Sequence, residues 1–450
     1  MKILVCVKVV KGEINPFDGS ALECALQLSD DVTIVSMAPK SCENVLKPLT
    51  RLGAKAVLIS DSIFAGSDTL ATSYILSTAI RQMEYDLILC GRQSIDGDTA
   101  QVGPMLSQML GMSLITNAFN VKCRDNKVFS DTRAGEECVN TPALITVERG
   151  YVLRLPSIFS KVGDVTIIDN NTLNCDTSKC GLSGSPTKVL EAFENERGKR
   201  KCKFISMDEL FPIADTLMKQ NKCEQKIEYT GKKLKCVWAV GEEVLEKAKE
   251  ISEQVVLIEK SNPEVIAKKA LDEKPNVILW NADLWGRKNA PVVAAMLQTG
   301  LCADCTLLET DGENLIMYRP AQGGNITAKI KCTATPQMAT VRTKTNSSDI
   351  IVSGGKGVVN SMDKLYELAK KLGAQVGASR GLVDMNGASY DMQIGLTGKT
   401  VSPKIYIAVG ISGAVHHTCA IEGSETVIAI NPDKNARIFE YADYGIIESL

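Results

Sequence analysis

The residues best suited to chemistry lie between Gly377 and His417. They are Ser379 and Arg380 in G-A-S-R, Thr397 in D-M-Q-I-G-L-T-G-K-T, and the two histidines of the chain, His416 and His417, in G-I-S-G-A-V-H-H. Before the histidines runs Ile405–Val409, an apolar stretch bounded by glycine that reads as a buried parallel strand. Gly410, Ser412 and Gly413 then form a small-residue turn into a helix, and such a turn gathers backbone N–H groups suited to an anionic phosphate. A guanidinium, hydroxyls and imidazoles within ~40 residues of strand ends make a wall for a cofactor. The same groups also serve as ordinary surface residues at loop ends, and the bare stretch favours neither reading.

Two more loops share this character. G91-R-Q-S-I-D-G-D-T-A-Q-V-G-P follows an apolar strand, with Asp98 and Gln101 spaced as a capping box. N–H groups from Thr99 to Val102 would then face a ligand, or the motif is simply a well-capped helix. Ser353-Gly-Gly-Lys356-Gly is the third such loop, again at a strand end.

The elements that must carry these loops are those of an open α/β fold. Strands are expected at 2–10, Val32–Met37, Ala56–Ser60 and Asp86–Cys90. Between them a turn at Asn15–Asp18 starts a helix near Gly19, and further helices fall over Glu43–Leu52 and Ser67–Gln82. Ligands of such sheets sit beyond the strand carboxyl ends at a switch point. After Gly111 the alternation stops, and Thr116–Cys123, Lys127–Arg133 and Ala143–Glu148 read as antiparallel strands. Cys138-x-x-Thr141-Pro142-x-x-x-Thr146-Val147 recurs as Cys332-x-x-Thr335-Pro336-x-x-x-Thr340-Val341. Strands at Cys236–Val240, Val255–Glu259 and Val277–Trp280 repeat the order, so the chain contains one α/β unit twice. A third domain opens with the strand Ile350–Val352 and a helix over Met362–Leu372.

Bulk properties agree with a globular chain. Its 450 residues suit about three domains, and with 44% apolar and 23% charged residues disorder is not suggested. A net charge of −2 gives no footprint for nucleic acid or a membrane surface, and no apolar run reaches the ~18 residues of a membrane span. The 15 cysteines are scattered, which points to reduced thiols in the cytoplasm. Cys302-x-x-Cys305 lacks a second half for zinc and reads as buried small hydrophobes. The start M-K-I-L-V-C-V-K reads as a first strand and not as a signal peptide.

Taken in order, N-P-F-D, D-L-I-L-C-G-R-Q-S-I-D-G-D-T-A-Q-V-G-P, G-L-S-G-S-P-T-K-V, V-S-G-G-K-G, G-A-S-R, D-M-Q-I-G-L-T-G-K, I-Y-I-A-V-G-I-S-G-A-V-H-H and A-D-Y-G-I cover nearly the whole chain. They resemble an electron transfer flavoprotein whose β and α subunits are joined. The resemblance implies two related open α/β domains, adenine-nucleotide-hydrolase-like, plus a C-terminal Rossmann-like FAD-binding domain. The expected divisions are 1–165 (β-subunit-like), 166–231 (connecting arm and linker), 232–345 (α-subunit-like N-terminal domain) and 346–450 (FAD-binding).

By motif position the resemblance puts around FAD Lys356, Ser379 and Arg380, and the run Gln393, Ile394, Gly395, Leu396 and Thr397. It adds Ser412, Gly413, Ala414, Val415, His416 and His417, with Asn431, Ser449 and Leu450. Arg380 is expected over the isoalloxazine, Thr397 at its N5 edge and His417 at its O2 side. A cation ~4 Å from the ring, at an effective dielectric near 20, is worth about 4 kcal/mol to the reduced, negative form. Leu396 stands where the family usually has Gln, Lys356 where it has Arg, and Ser449 where an acid is expected; relatives continue into a further helix. These departures motivate one other reading, an adenine-nucleotide sensor without flavin.

The first domain is implied to hold a second nucleotide between Cys6, Asn15, Pro16, Phe17, Asp18, Met37 and the loop Gly91, Arg92, Gln93, Asp96, Gly97, Asp98, Thr99, Ala100, Gln101 and Val102. Simple family members hold AMP there; the electron-bifurcating subgroup, to which D-G-D-T-A-Q-V-G-P is more similar, holds a second FAD reduced by NADH. The second FAD is the favoured expectation. Arg154-Leu155-Pro156-Ser157-Ile158 matches the family's partner-recognition loop, with Leu155 as the anchor, although Leu155 also fits a plain edge hairpin. The implied partner is a flavin-dependent dehydrogenase of the acyl-CoA type, as in fatty acid oxidation. Neither nucleic acid binding nor membrane insertion is expected.

Overall fold

The computed structural model describes residues 1–194, 200–219, 231–322, 326–343, 348–395 and 398–450. The chain forms two compact units, one of Met1–Ala192, Tyr229–Gln322 and Ala328–Val341, the other of Phe193–Glu228, Gly323–Thr327 and Arg342–Leu450. No described helix is long and apolar enough to cross a membrane.

In the first unit, five central strands of a nine-stranded sheet lie in the order Asp31–Met37, Lys2–Cys6, Leu87–Gly91, Ala143–Val147, Ser113–Arg124. A second sheet repeats this as Ser252–Ile258, Leu234–Val240, Val277–Asn281, Gln337–Val341, Leu301–Cys305. The likeness extends to a single irregularity. In the first copy the register slips between Ile145 and Val147, and the Asn117 N–H, at φ 58°, donates to Thr146 Oγ1 over 3.0 Å. In the second it slips between Cys302 and Cys305, and the Asp304 N–H, at φ 57°, donates to Thr340 Oγ1 over 2.8 Å. Here a threonine hydroxyl satisfies the backbone donor that the bulge leaves unpaired. The duplication read from the Cys-x-x-Thr-Pro motif is therefore a duplication of structure.

One strand assignment is corrected. Ala143–Val147 runs parallel to both its neighbours, Leu87–Gly91 and Ser113–Arg124, in the middle of the sheet. All five of its residues are buried, as a central parallel strand requires. The first two expected strands do pair antiparallel, as Ser113–Arg124 with Lys127–Thr132, and the third strand of the meander is Gly135–Asn140, which was not expected. The helix expected over Glu43–Leu52 is α-helical only through Leu46 and continues as 3-10 turns over Lys47–Leu52, because Pro48 has no N–H to extend it. The first strand ends at Cys6, and its helix begins earlier than expected, at Pro16, where proline suits the first turn. Cys302 and Cys305 are buried in the second sheet. Leu70 and Met105 of the first copy share a core with Trp238, Ile278 and Val293 of the second, joining the copies through apolar side chains.

The second unit is a parallel sheet in the order Gln393–Ile394, Gln375–Ser379, Ile350–Gly354, Ile405–Val409, Thr426–Ile430, Tyr444–Ile446. By chain order this is 3-2-1-4-5-6, the doubly wound arrangement. Lys203–Phe204 from the connecting segment adds a strand beside Tyr444–Ile446. Leu210 and Ala214 of the following helix, Leu210–Lys219, enter this unit's core.

Candidate functional site

In the second unit the chain reverses direction across the sheet between Ile350–Gly354 and Ile405–Val409, the place where doubly wound folds take their ligands. The loops leaving these two strands touch. The Gly355 N–H donates to the Val409 carbonyl over 2.8 Å and the Gly357 N–H to the Gly410 carbonyl over 3.2 Å. A Cβ on Gly355 would sit 2.1 Å from the Gly410 oxygen, so two backbones close on one another with no side chain between them. Ser412 and Ala414 lie exposed just beyond, with Gly413 buried between them.

On the neighbouring strand end, Ser379 caps a short helix and Arg380 bonds the Asp384 carboxylate over 3.3 Å. The stem of exposed Lys356 lies against Gly381, which brings the lysine and the G-A-S-R turn together. This set of close backbones, hydroxyls and two cations fits a dinucleotide with an anionic diphosphate. Leu396 and Thr397 lie outside the described residues.

Two further expected site residues, His417 and Asn431, make hydrogen bonds within the chain. His417 is buried, with Nδ1 3.1 Å from the Ile394 carbonyl and Nε2 2.9 Å from the Tyr406 hydroxyl. A carbonyl only accepts, so Nδ1 carries the proton and the tyrosine donates to Nε2. The ring thus fixes the end of strand Gln393–Ile394, beside Gly395. Asn431 donates to the Ile411 carbonyl over 2.9 Å and accepts from the Asp433 N–H over 2.9 Å, so it braces the 411–414 turn. Gln393 is buried, His416 and Ser449 are exposed, Val415 opens a one-turn helix, and Leu450 packs partly on the core.

The first unit holds a cavity of about 730 Å³ at the carboxyl ends of Lys2–Cys6, Asp31–Met37, Lys55–Ile59 and Leu87–Gly91. Of the expected residues, Cys6, Asn15, Asp18, Met37, Gly91, Arg92, Gln93, Gly97, Thr99, Ala100, Gln101 and Val102 line it; Pro16, Phe17, Asp96 and Asp98 do not. Asp18 joins the two switch-point loops by accepting the Lys8 N–H over 2.7 Å and the Gly91 N–H over 3.0 Å. Burial pushes its carboxyl up to about 7 against these bonds. Gly91 must lack a side chain, since a Cβ there would lie 2.2 Å from Asp18 Oδ1. Asn15 holds the loop by donating to the Gln93 carbonyl over 2.8 Å.

The capping box is corrected. Helix Val102–Leu110 has Gln101 as its first flanking residue without a side-chain cap, and Asp98 instead accepts from Gln93 Nε2 over 3.0 Å. Asp98 and Ala100 stand at φ 52° and 55°, conformations that cost roughly 1–3 kcal/mol each outside glycine. Arg92 is drawn inward to Glu148, 2.7 Å away, which also binds Arg133 at 2.9 Å. Lys8 and the wall from Ser60 to Thr69 were not singled out from sequence, although the carboxyl end of strand Lys55–Ile59 points to them. At the corresponding strand ends of the second copy lie Lys260, paired with Glu243 at 2.6 Å and Asp283 at 2.9 Å, and Trp285, stacked on Trp280.

Leu155 is 91% exposed, with Val152, Ile158 and Phe159 exposed beside it. Its loop is nonetheless anchored. Arg154 Nη2 meets Glu23 Oε1 over 2.8 Å, and Arg51 donates to the Ser157 and Ser160 carbonyls. Four exposed apolar side chains on a braced loop form a surface suited to a transient partner.

Residues 3–164 and 262–365 match the electron transfer flavoprotein domain, and 344–422 match the electron transfer flavoprotein FAD-binding domain. The electron transfer flavoprotein subunit alpha of Thermoanaerobacterium thermosaccharolyticum is 41% identical over 232 residues, which cover 41% of this chain and 70% of the relative. The electron transfer flavoprotein subunit beta of Megasphaera elsdenii is 37% identical over 235 residues, covering 43% of this chain and 87% of the relative. Protein FixB of Clostridium saccharobutylicum is 39% identical over 230 residues, covering 41% and 69%.

The His417 geometry has a pH consequence. Burial pushes its pKa down from 6.5 to about 4, so the folded chain binds fewer protons than the unfolded chain between those values. Stability from this group is present above pH 6.5 and is lost as pH falls toward 4, by at most roughly 3 kcal/mol. Urea midpoints measured from pH 7 to 4.5 should fall less steeply for His417→Gln than for the unaltered chain. Equal slopes would show that the imidazole does not titrate this way.

Proposed function

The chain belongs to the electron transfer flavoprotein family, and we propose that it accepts electrons from a flavin-dependent dehydrogenase of the acyl-CoA type and delivers them to a second redox protein. The observation that carries this reading is the glycine-lined contact at the switch point of the C-terminal sheet, flanked by Ser379, Arg380 and Lys356. FAD held there supplies a ring that takes up and releases electrons reversibly. Ser412 and the backbone of the 410–414 turn would hold its diphosphate, and Asn431 keeps that turn in shape. Arg380, tethered by Asp384, would set a fixed positive charge beside the ring and favour its reduced form. Lys356 adds charge without a guanidinium fork. His417 stays neutral near pH 7 and positions the Ile394 carbonyl, so it is assigned a bracing role.

For the first unit the proposal is a second FAD, reduced by NADH, with the two electrons then sent to different acceptors. A cavity of about 730 Å³ supports a dinucleotide, since it lies in the upper half of the roughly 300–1,000 Å³ span of small-molecule sites. AMP is the other candidate, because the same loop backbone suits a single phosphate. The scattered thiols are in keeping with a reducing cytoplasm. Leu155 is proposed as the anchor for the dehydrogenase.

Flavin content of the purified chain separates these possibilities. Two FAD per chain with bleaching by NADH is the expected result; one FAD with one AMP would exclude the second flavin, and a colourless chain would overturn the electron-carrier reading. Leu155→Ala should leave flavin content unchanged and weaken transfer from the dehydrogenase about tenfold, the effect of losing one interface anchor. Transfer at the original rate would remove Leu155 from the docking surface.

A further inference from the structure

We infer that Arg319, a residue of the second α/β copy, is a positioning residue for the nucleotide loop of the first; the inference rests on the adenine-nucleotide reading of the cavity above. Arg319 is 5% exposed and lies on the strand Leu315–Ala321. Its Nη1 donates to the Gly97 carbonyl over 2.6 Å and its Nη2 to the Asp98 carbonyl over 3.2 Å. Close by, the Gln322 N–H reaches the Asp96 carbonyl over 3.4 Å. At the far end of the same loop, Gln101 donates to the Leu301 carbonyl of the second copy over 3.0 Å and accepts from Thr69 over 2.7 Å.

The segment held at both ends is the one that needs holding. Asp98 and Ala100 occupy left-handed backbone conformations that L-residues leave readily when nothing opposes them. Thr99, Ala100 and Gln101 line the cavity between the two clamps. A planar guanidinium fixes two successive carbonyls in one plane, which a point charge cannot do. With the carbonyls of Gly97 and Asp98 turned toward Arg319, the N–H groups that follow are free to turn toward the cavity, where a phosphate would be received.

The duplication explains why this arginine is available. In the first copy Arg133, at the corresponding meander, pairs with Glu148, the residue two after Thr146. The residue two after Thr340 in the second copy is Arg342, so the matching carboxylate is missing. Arg319 therefore finds its acceptors in the neighbouring copy's loop instead. An interaction made within the first copy is thus replaced, in the second, by one between copies.

The test uses AMP, the moiety common to both candidate occupants, and the full chain with its C-terminal FAD in place and its first unit stripped of any bound nucleotide. Arg319→Lys keeps the charge but loses the fork, and should weaken AMP binding by about tenfold or more. Its C-terminal flavin content and thermal midpoint should stay near those of the unaltered chain. Adding Ala100→Gly, which removes one left-handed strain, should recover part of the lost affinity. Full AMP affinity in Arg319→Lys would overturn the inference while leaving the nucleotide reading intact. No AMP binding by the unaltered chain would overturn that reading and the inference with it. Should Arg319→Lys fail to fold, amide exchange on the unaltered chain decides: AMP should slow exchange both at 96–101 and at 319–322. Protection confined to 96–101 would overturn the coupling.

Discussion

The C-terminal unit depends on two backbones being allowed to touch. Gly355 and Gly410 meet at the reversal point of a parallel sheet, where the strand carboxyl ends leave a crevice. Any side chain on Gly355 would collide with the Gly410 carbonyl, so the crevice keeps its shape only while that position is bare. Around this contact the polar groups divide into two classes. Asn431 and His417 face inward and fix the loops, whereas Ser379, Ser412, Lys356 and Arg380 remain at the surface of the crevice.

The first unit meets a similar requirement by a different route. Its crevice is closed at the base by Asp18, a buried carboxyl that draws in N–H groups from both switch-point loops. Duplication then adds a scaffold. The two copies share the bulge satisfied by Thr146 and Thr340. At the strand ends they differ: the first copy holds a cavity, and at the equivalent place the second has Lys260 paired with two carboxylates and a tryptophan pair.

Much of this architecture was legible in the sequence because parallel strands are apolar runs between glycines. The repeated Cys-x-x-Thr-Pro spacing revealed the duplication for the same reason, since it marks a strand that must be central in each copy. What stayed hidden depends on partners far away in the chain. Ala143–Val147 looked like part of an antiparallel meander, since sequence shows its neighbours in the chain but not its neighbours in the sheet. Asp98 matched a capping box by spacing, yet its carboxylate goes to Gln93 and the helix starts later. His417 has the right type for a flavin contact, and only the positions of Tyr406 and Ile394 reveal that both its nitrogens are engaged. The wall from Ser60 to Thr69 carries no motif; its place at a strand end is its signal.

Bare backbone contact at the C-terminal switch point is what we propose to shape the FAD site. The most direct measurement is the flavin absorbance and bound FAD of Gly355→Ala, purified beside the unaltered chain and compared with it for secondary structure. The expected result is a folded chain that has lost the flavin of its C-terminal unit. A Gly355→Ala chain that retains all of its FAD with unchanged affinity would contradict it.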